Sequence, residues 1–259
     1  MAILEPIWRT KTVSANRLRG RIERILDWAI ARGHRDGLNP ARWRGHLDKM
    51  LAAPNKVSKV KHHSALPVSE IGGFVKQVRA MEGTGARALE FLILTAARSG
   101  EVRGATWKEI NLDGKVWTIP ADRMKAGREH RVALSIAAIK LLSALPRQEG
   151  AKFVFPSATG KKLSDMTLVA IMRRMEVEAV PHGFRSTFRD WTAERTNYPR
   201  DVAEMALAHA IGDKVEAAYR RGDLFEKRIR MMADWASFCD RSGSATILPM
   251  ASKTAARNG

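Results

Sequence analysis

A mainly α fold with a small antiparallel β-sheet is what this sequence predicts, and three observations predict it. Apolar residues recur at helical spacing through most of the chain. Only two short runs, Val116-Trp117-Thr118-Ile119 and Arg131-Val132-Ala133-Leu134, have the character of strands. An aperiodic basic stretch from Asn55 to Leu66 parts a short helical region from a longer mixed α+β one.

Taken in order, the first helix is expected over Ser14 to Gly33. Leu18, Ile22, Ile25, Leu26 and Ala29 form its apolar stripe, Arg17, Arg21 and Arg24 share another face, and Gly33 stops it. The stretch that ends before Pro67 carries Lys56, Lys59, Lys61, His62 and His63 and reads as a linker. Adjacent histidines do not share a helix face, and no carboxylate cluster accompanies them. A solvated or phosphate-facing linker is therefore expected, and no metal site. Ser69-Glu70 should cap an amphipathic helix running through Met81, with a more apolar helix following from about Ala86 to Ala97. The two strands flank a polar turn, Ala121 to His130, that contains Gly127. Helical patterns then cover Ile136 to Leu145, Met166 to Val177, Phe184 to Glu194, Asp201 to Ala208 and Val215 to Phe238. The expected organisation is a helical domain over 1–62, a mixed α+β domain over 63–240, and a frayed tail over 241–259.

Composition narrows the partners. Of 259 residues, 45% are hydrophobic and 28% charged, which excludes wholesale disorder. Lys and Arg number 45 against 27 Asp and Glu, a formal charge of +18. Half of that excess lies before residue 66. Such charge repels itself in a compact protein and points to a polyanion, although a generically basic protein has the same composition. Cys239 is the single cysteine, which excludes an internal disulfide framework and a cysteine-based zinc site. Met1 to Arg9 lacks the pattern of a secretory signal, and the longest apolar stretch, Phe91 to Ala97, is too short to span a bilayer. A cytoplasmic protein without a membrane partner is expected.

Cutting DNA without a metal needs a side-chain nucleophile, positive charge on the phosphate oxygens, and a proton for the leaving 5′ oxygen. Arginine suits the clamp, because its planar fork matches phosphate and stays charged. The chain has two tyrosines: Tyr198 precedes Pro199 in a turn, and Tyr219 follows the break at Gly212-Asp213. His182 and Arg185 stand three apart at a helix start, where backbone amides favour an anion. Arg98 closes an apolar helix in Thr95-Ala96-Ala97-Arg98-Ser99-Gly100-Glu101, and His209 ends another. Each residue alone has a duller reading. Arg98 could serve a helix C-terminus, Lys125 could be a solvated turn charge, and Glu101 could answer a helix dipole. His182 and His209 could be helix-end groups, and Tyr219 a packing residue.

The ordered set is more specific than its parts. Ala97-Arg98-Ser99-Gly100-Glu101, Lys125 in a hairpin turn, His182-Gly183-Phe184-Arg185, Leu207-Ala208-His209 and then Tyr219 resemble the catalytic domain of the tyrosine recombinases, the phage integrase family, in the form found in prophages and genomic islands. The likeness covers roughly 66–240. Pro6-Ile7-Trp8 and Asn39-Pro40-Ala41-Arg42-Trp43 resemble the helical core-binding domain of the same proteins. Leu-Ala-His stands where Leu-Gly-His is the familiar form.

The resemblance implies that Arg98 and Arg185 clamp the scissile phosphate and that Lys125 protonates the 5′ oxygen. It implies that His182 assists proton transfer at the tyrosine, His209 hydrogen-bonds the phosphate, and Glu101 orients its neighbours. Tyr219 would be the nucleophile of a 3′-phosphotyrosyl intermediate. Strand exchange would need no metal, nucleotide or other cofactor, because the covalent link keeps the phosphodiester's energy. Arg17, Arg21, Arg24, Lys56, Lys59 and Lys61 are candidate phosphate contacts. The implied partner is duplex DNA at attachment-type sites, with a homotetramer on DNA and a monomer in isolation left open. The arm-site-binding domain that such integrases usually carry ahead of the core-binding domain has no match, as in a fragment or gene remnant. A type IB topoisomerase and a non-catalytic DNA-binding remnant are the alternatives.

Overall fold

In the computed structural model the described residues are 1–58, 64–147, 150–209 and 222–241. The chain divides into two compact units, Met1–His62 and His63–Gly259.

The first unit is built on α1 (Glu5–Trp8), α2 (Thr12–Ala31) and a single turn, α3 (Pro54–Val57). Leu4, Trp8, Ala15, Leu47 and Leu51 form its core. Trp8 stacks on Trp43 at 5.6 Å and donates its indole N–H to the Ala52 carbonyl at 2.8 Å. Asn39 fastens the loop after α2 by donating to Glu23 O and Asp27 Oδ1, while its own Oδ1 accepts the Ala41 N–H. The apolar stripe expected around Ile25 needs correction: Ile25 is 65% exposed and Trp28 57%. This small core reaches only the first turns of α2, where Thr12 and Ala15 are buried. The turn at Pro54–Val57 also makes the start of the expected linker helical.

The second unit is organised around α5 (Thr84–Thr95), in which every residue from Ala88 to Thr95 is buried. Its one buried carboxylate, Glu90, accepts from Arg79 at 2.6 Å and Arg87 at 3.0 Å. Packed on α5 are α4 (Ile71–Ala80), α7 (Ile136–Ser143), α8 (Met166–Arg174) and α11 (Phe225–Asp240). The elements α6 (Ser99–Arg103), α9 (Gly183–Arg195) and α10 (Arg200–Ala206) carry the site described below. The sheet has three antiparallel strands: β1 (Ile110–Asn111), β2 (Val116–Ile119) and β3 (His130–Ala133). Trp117 faces Val132 and Ile119 faces His130, so Trp117 and Ile119 point into the core. The two-residue β1 was not expected; it is too short to show alternation. Trp235 of α11 donates to Ile93 O at 2.7 Å and packs with Trp191, Phe188 and Phe238.

Three boundaries depart from the spacing. Ser69-Glu70 supplies no side-chain cap; a 3₁₀ turn, Val68–Glu70, leads into α4 instead. Arg98 does not close α5. Ala96 ends that helix in the left-handed conformation (φ 49°), and Arg98 is extended at the N-cap of α6. Of the helix expected over Val215 to Phe238, residues 215–221 lie outside the described residues, and α11 starts at Phe225, because Leu224 is left-handed (φ 52°) and Asp223 caps the Phe225 N–H at 3.2 Å. Tyr219, Lys59, Lys61 and the tail beyond Arg241 lie outside the described residues. Among those described, no helix is long and apolar enough to cross a membrane.

Candidate active site

Three helix ends meet at one point. The turn from α5 to α6 brings Arg98, the first turn of α9 brings Arg185, and the end of α10 brings His209. Arg185, 5% exposed, donates Nη1 to Ala96 O at 2.6 Å and Nη2 to Leu207 O at 2.5 Å. Arg98 reaches the same Leu207 carbonyl at 3.5 Å and that of Ala208 at 3.2 Å. Two guanidinium groups thus share one carbonyl oxygen.

Backbone conformation makes this possible. Ala96 and Ala208 both take φ 49°, a region that costs a Cβ-bearing residue about 1 kcal/mol or more. After α10, the Ala208 N–H bonds Met205 O and the His209 N–H bonds Glu204 O. That pair of bonds is a Schellman closure, whose left-handed position glycine usually holds. The closure folds His209 back over α10, so Nδ1 lies 2.6 Å from Glu204 Oε2 and Nε2 lies 3.0 Å from Arg185 Nη2. With Nδ1–H donating to the carboxylate, Nε2 is left to accept from the arginine.

The charges here are unevenly answered. Glu101, buried, accepts from the Arg98 backbone N–H and from its guanidinium, both at 2.8 Å. Glu204 serves His209 and also Arg189, at 2.7 Å. Among the described residues Arg185 has no carboxylate bound to it; its partners there are carbonyls and His209, and its buried Nε has no hydrogen-bond partner. Burial first, and then the neighbouring Arg98 charge, bring its pKa down to about 10. It remains a cation at neutral pH. A buried donor without a partner, beside two like charges, is the electrostatic signature of a site for an anion.

The other expected residues among those described are all exposed. His182 is exposed at the N-cap of α9, and its carbonyl accepts the Arg185 N–H at 3.2 Å. Gly183 is buried so tightly that an added Cβ would meet Ser64 O at 2.1 Å. Lys125 is exposed in the turn between β2 and β3. That turn is rooted by Arg123, which donates to the Glu109 carboxylate and to the Glu101 carbonyl. Arg17, Arg21 and Arg24 are exposed on α2 of the first unit, and Lys56 is exposed on α3.

Two residues that the sequence reading missed belong to this cluster. Glu204 orients His209, yet its position five residues earlier has meaning only with the Schellman closure. His130, at the start of β3, hydrogen-bonds the Ala206 backbone and feels Arg228, Glu101 and Arg185. In the sequence it closes a polar turn, with nothing to separate it from solvated neighbours.

A model of the phage integrase family matches residues 68–223, and one of the phage integrase central domain matches residues 1–46. The prophage integrase IntZ of Escherichia coli (strain K12) is 33% identical over 248 residues, covering 93% of this chain and 59% of that protein. The integrase of Enterobacteria phage P4 is 32% identical over 256 residues, covering 90% of this chain and 56% of its own. The chain therefore spans rather more than half the length of these relatives. Among solved structures, a lambda integrase tetramer bound to a Holliday junction aligns over 82% of this chain and 63% of its own, with a TM-score of 0.58 and 19% identity. At that identity the likeness shows the fold.

Proposed function

Because the chain belongs to the phage integrase family, the tyrosine recombinases of prophage type, we propose that it cuts and rejoins duplex DNA through a 3′-phosphotyrosyl link. One observation carries the proposal: Arg98 and Arg185 converge on one carbonyl, and Arg185 has a buried N–H that nothing among the described residues answers.

In this reading the non-bridging oxygens of the scissile phosphate take the two guanidinium forks, satisfying Nε of Arg185 and relieving the repulsion between the cations. Glu101 keeps Arg98 aimed by holding its backbone and its head together. With phosphate bound, His209 keeps Nδ1–H on Glu204 and, carrying a proton on Nε2 as well, donates it to a phosphate oxygen in place of accepting from Arg185. The Tyr219 oxygen forms a bond to phosphorus as the bond to O5′ breaks. The phenolic proton passes towards His182, and Lys125 gives a proton to the departing 5′ oxygen. A free phenol has a pKa of about 10, so two guanidinium charges close to it favour the tyrosinate in the transition state. Attack of the free 5′ hydroxyl on the phosphotyrosine reverses these steps and reseals the strand.

Residues 1–62 act as the core-type DNA-binding domain and 63–240 as the catalytic domain. Arg17, Arg21, Arg24, Lys56, Lys59 and Lys61 contact backbone phosphates of attachment-type sites in the cytoplasm. Assembly as a tetramer on DNA is supported by the lambda integrase tetramer bound to a Holliday junction.

The test needs no knowledge of the target. The chain is incubated with nicked duplexes randomised over about 40 base pairs, the mixture is denatured, and DNA left attached to protein is sequenced. A recurrent site, attached through Tyr219 and abolished in Tyr219→Phe, is the expected result, with at least a hundredfold loss of adduct in Arg185→Ala. No adduct from the native chain, or an undiminished one from Tyr219→Phe, overturns the proposal.

A further inference from the structure

We propose that Asp223, clasped between Arg131 of β3 and Arg228 of α11, is a positioning residue that fixes the C-terminal anchor of the segment carrying Tyr219. The inference rests on Tyr219 being the nucleophile.

The clasp holds more strongly than a helix start requires. Arg131 donates to the Asp223 carboxylate through Nε at 3.0 Å and Nη2 at 2.8 Å, a two-point fork. Arg228 donates Nη2 to the same carboxylate at 2.6 Å and Nε to the Asp223 carbonyl at 2.9 Å, and its Nη1 goes to the Arg131 carbonyl. The Phe225 ring lies under both guanidinium groups, at 4.3 Å from Arg131 and 5.3 Å from Arg228. Capping α11 takes only the bond from the Phe225 N–H. Of the remaining bonds, those from Arg131 tie Asp223 to a strand 92 positions away in sequence, and those from Arg228 tie it to α11, five positions on.

Arg228 is 2% exposed, and Asp223 is the carboxylate it pairs with among the described residues. Burial draws the Asp223 carboxyl upward. The Arg131 hydrogen bond and the Arg228 and Arg131 charges outweigh that and hold it below the ordinary range, so it is ionised at neutral pH.

The location matters more than the strength. Arg131 follows His130 on β3, the strand that leaves the turn bearing Lys125, and His130 lies against the Ala206 backbone near Arg185. Tyr219 precedes Asp223 by four residues. An extended chain advances about 3.3–3.6 Å per residue, so the Tyr219 Cα is held within about 14 Å of the Asp223 Cα. The tether from His209, ten residues away, allows about 35 Å by the same measure. Asp223 is the shorter leash, and it is fastened to the hairpin that carries Lys125.

The experiment uses the full chain and the duplex recovered by the adduct selection. Arg131→Ala, at a half-exposed position that leaves no buried charge behind, and Asp223→Asn are compared with the native protein. Three quantities are measured: the single-turnover rate of adduct formation at saturating duplex, the DNA dissociation constant, and the melting temperature. Arg131→Ala should lower the rate at least tenfold, with affinity within twofold of native and melting little changed. Asp223→Asn should lower it further. A duplex with sulfur in place of the bridging 5′ oxygen has a leaving group that needs no proton. It should restore cleavage to Lys125→Ala and to neither clasp variant. Native rates in both variants, recovery on the sulfur-containing duplex, or a loss that only follows affinity or folded fraction overturns the inference while the native adduct stands. Failure of the native chain to form an adduct instead removes the catalytic reading on which the inference rests.

Discussion

His130 brings buried chemistry to the edge of the sheet. Burial first, and then the Arg228 charge, depress its pKa from 6.5 to about 4, against smaller opposing contributions from Glu101 and the Ala206 backbone. Arg185 adds to the depression. Between pH 6.5 and 4 the unfolded chain binds a proton here that the folded chain refuses. The stability this group contributes is therefore complete above about pH 6.5 and is lost as the pH falls towards 4, by up to roughly 3 kcal/mol. Urea denaturation at pH 7.5, 5.5 and 4.5 should show that decline, and His130→Asn should flatten it; equal slopes in the two proteins would refute the assignment. The residue order groups Arg98, Glu101, Arg185 and His209 by chemical type, and those four do meet. His130 stays hidden in the sequence because its neighbours come from other elements, and Glu204 because only the Schellman closure brings His209 back to it. Tyr219 is legible by order alone, since it lies outside the described residues.

At the scale of elements, the position of Arg185 depends on how closely the chain at Ser64 approaches the start of α9. Thr187 donates its hydroxyl to Leu66 O at 2.6 Å, the Val180 N–H bonds Ser64 O at 3.1 Å, and Gly183 lies between them. A methyl group there would meet Ser64 O at 2.1 Å and Ala65 Cα at 2.9 Å, both backbone atoms that cannot step aside as a side chain can. Gly183→Ala should therefore destabilise by about 1–3 kcal/mol or more, despite the better helix propensity of alanine. Chemical denaturation would measure the loss, and a stability equal to native would mean that the contact relaxes freely. Most helices are legible from period alone, because α4, α5, α8 and α9 each present an apolar face to one core. Two of the boundaries that mislead share one cause. Ala96 and Leu224 turn the chain with φ near 50° although neither is glycine, so the usual glycine signal is missing. The apolar stripe on α2 misleads for another reason: the first unit is too small to cover it.

For the molecule as a whole, the formal +18 is divided unequally, with 14 basic and 5 acidic residues in the first 65. On α2 the exposed arginines share their surface with Ile25 and Trp28, both more than half exposed, beside the Arg32 guanidinium that lies 5.9 Å from the Trp28 ring. A basic helix face with apolar and aromatic groups set into it suits a duplex, whose phosphates take the charge while sugars and base edges take the flat surface. If Arg17, Arg21 and Arg24 each neutralise one phosphate, each releases close to one condensed counterion on binding. Replacing all three with glutamine should then weaken binding to any duplex and reduce the slope of log affinity against log salt by about 2 to 3. The covalent step would be untouched once DNA saturates the protein, because these residues belong to the first unit and the phosphate clamp to the second. Titrations of native and triple-variant chains between 50 and 300 mM salt, on the selected duplex and on one of unrelated sequence, separate the possibilities. Parallel lines for the two proteins would mean that this face meets no phosphate, and the basic surplus of the first unit would need a different partner.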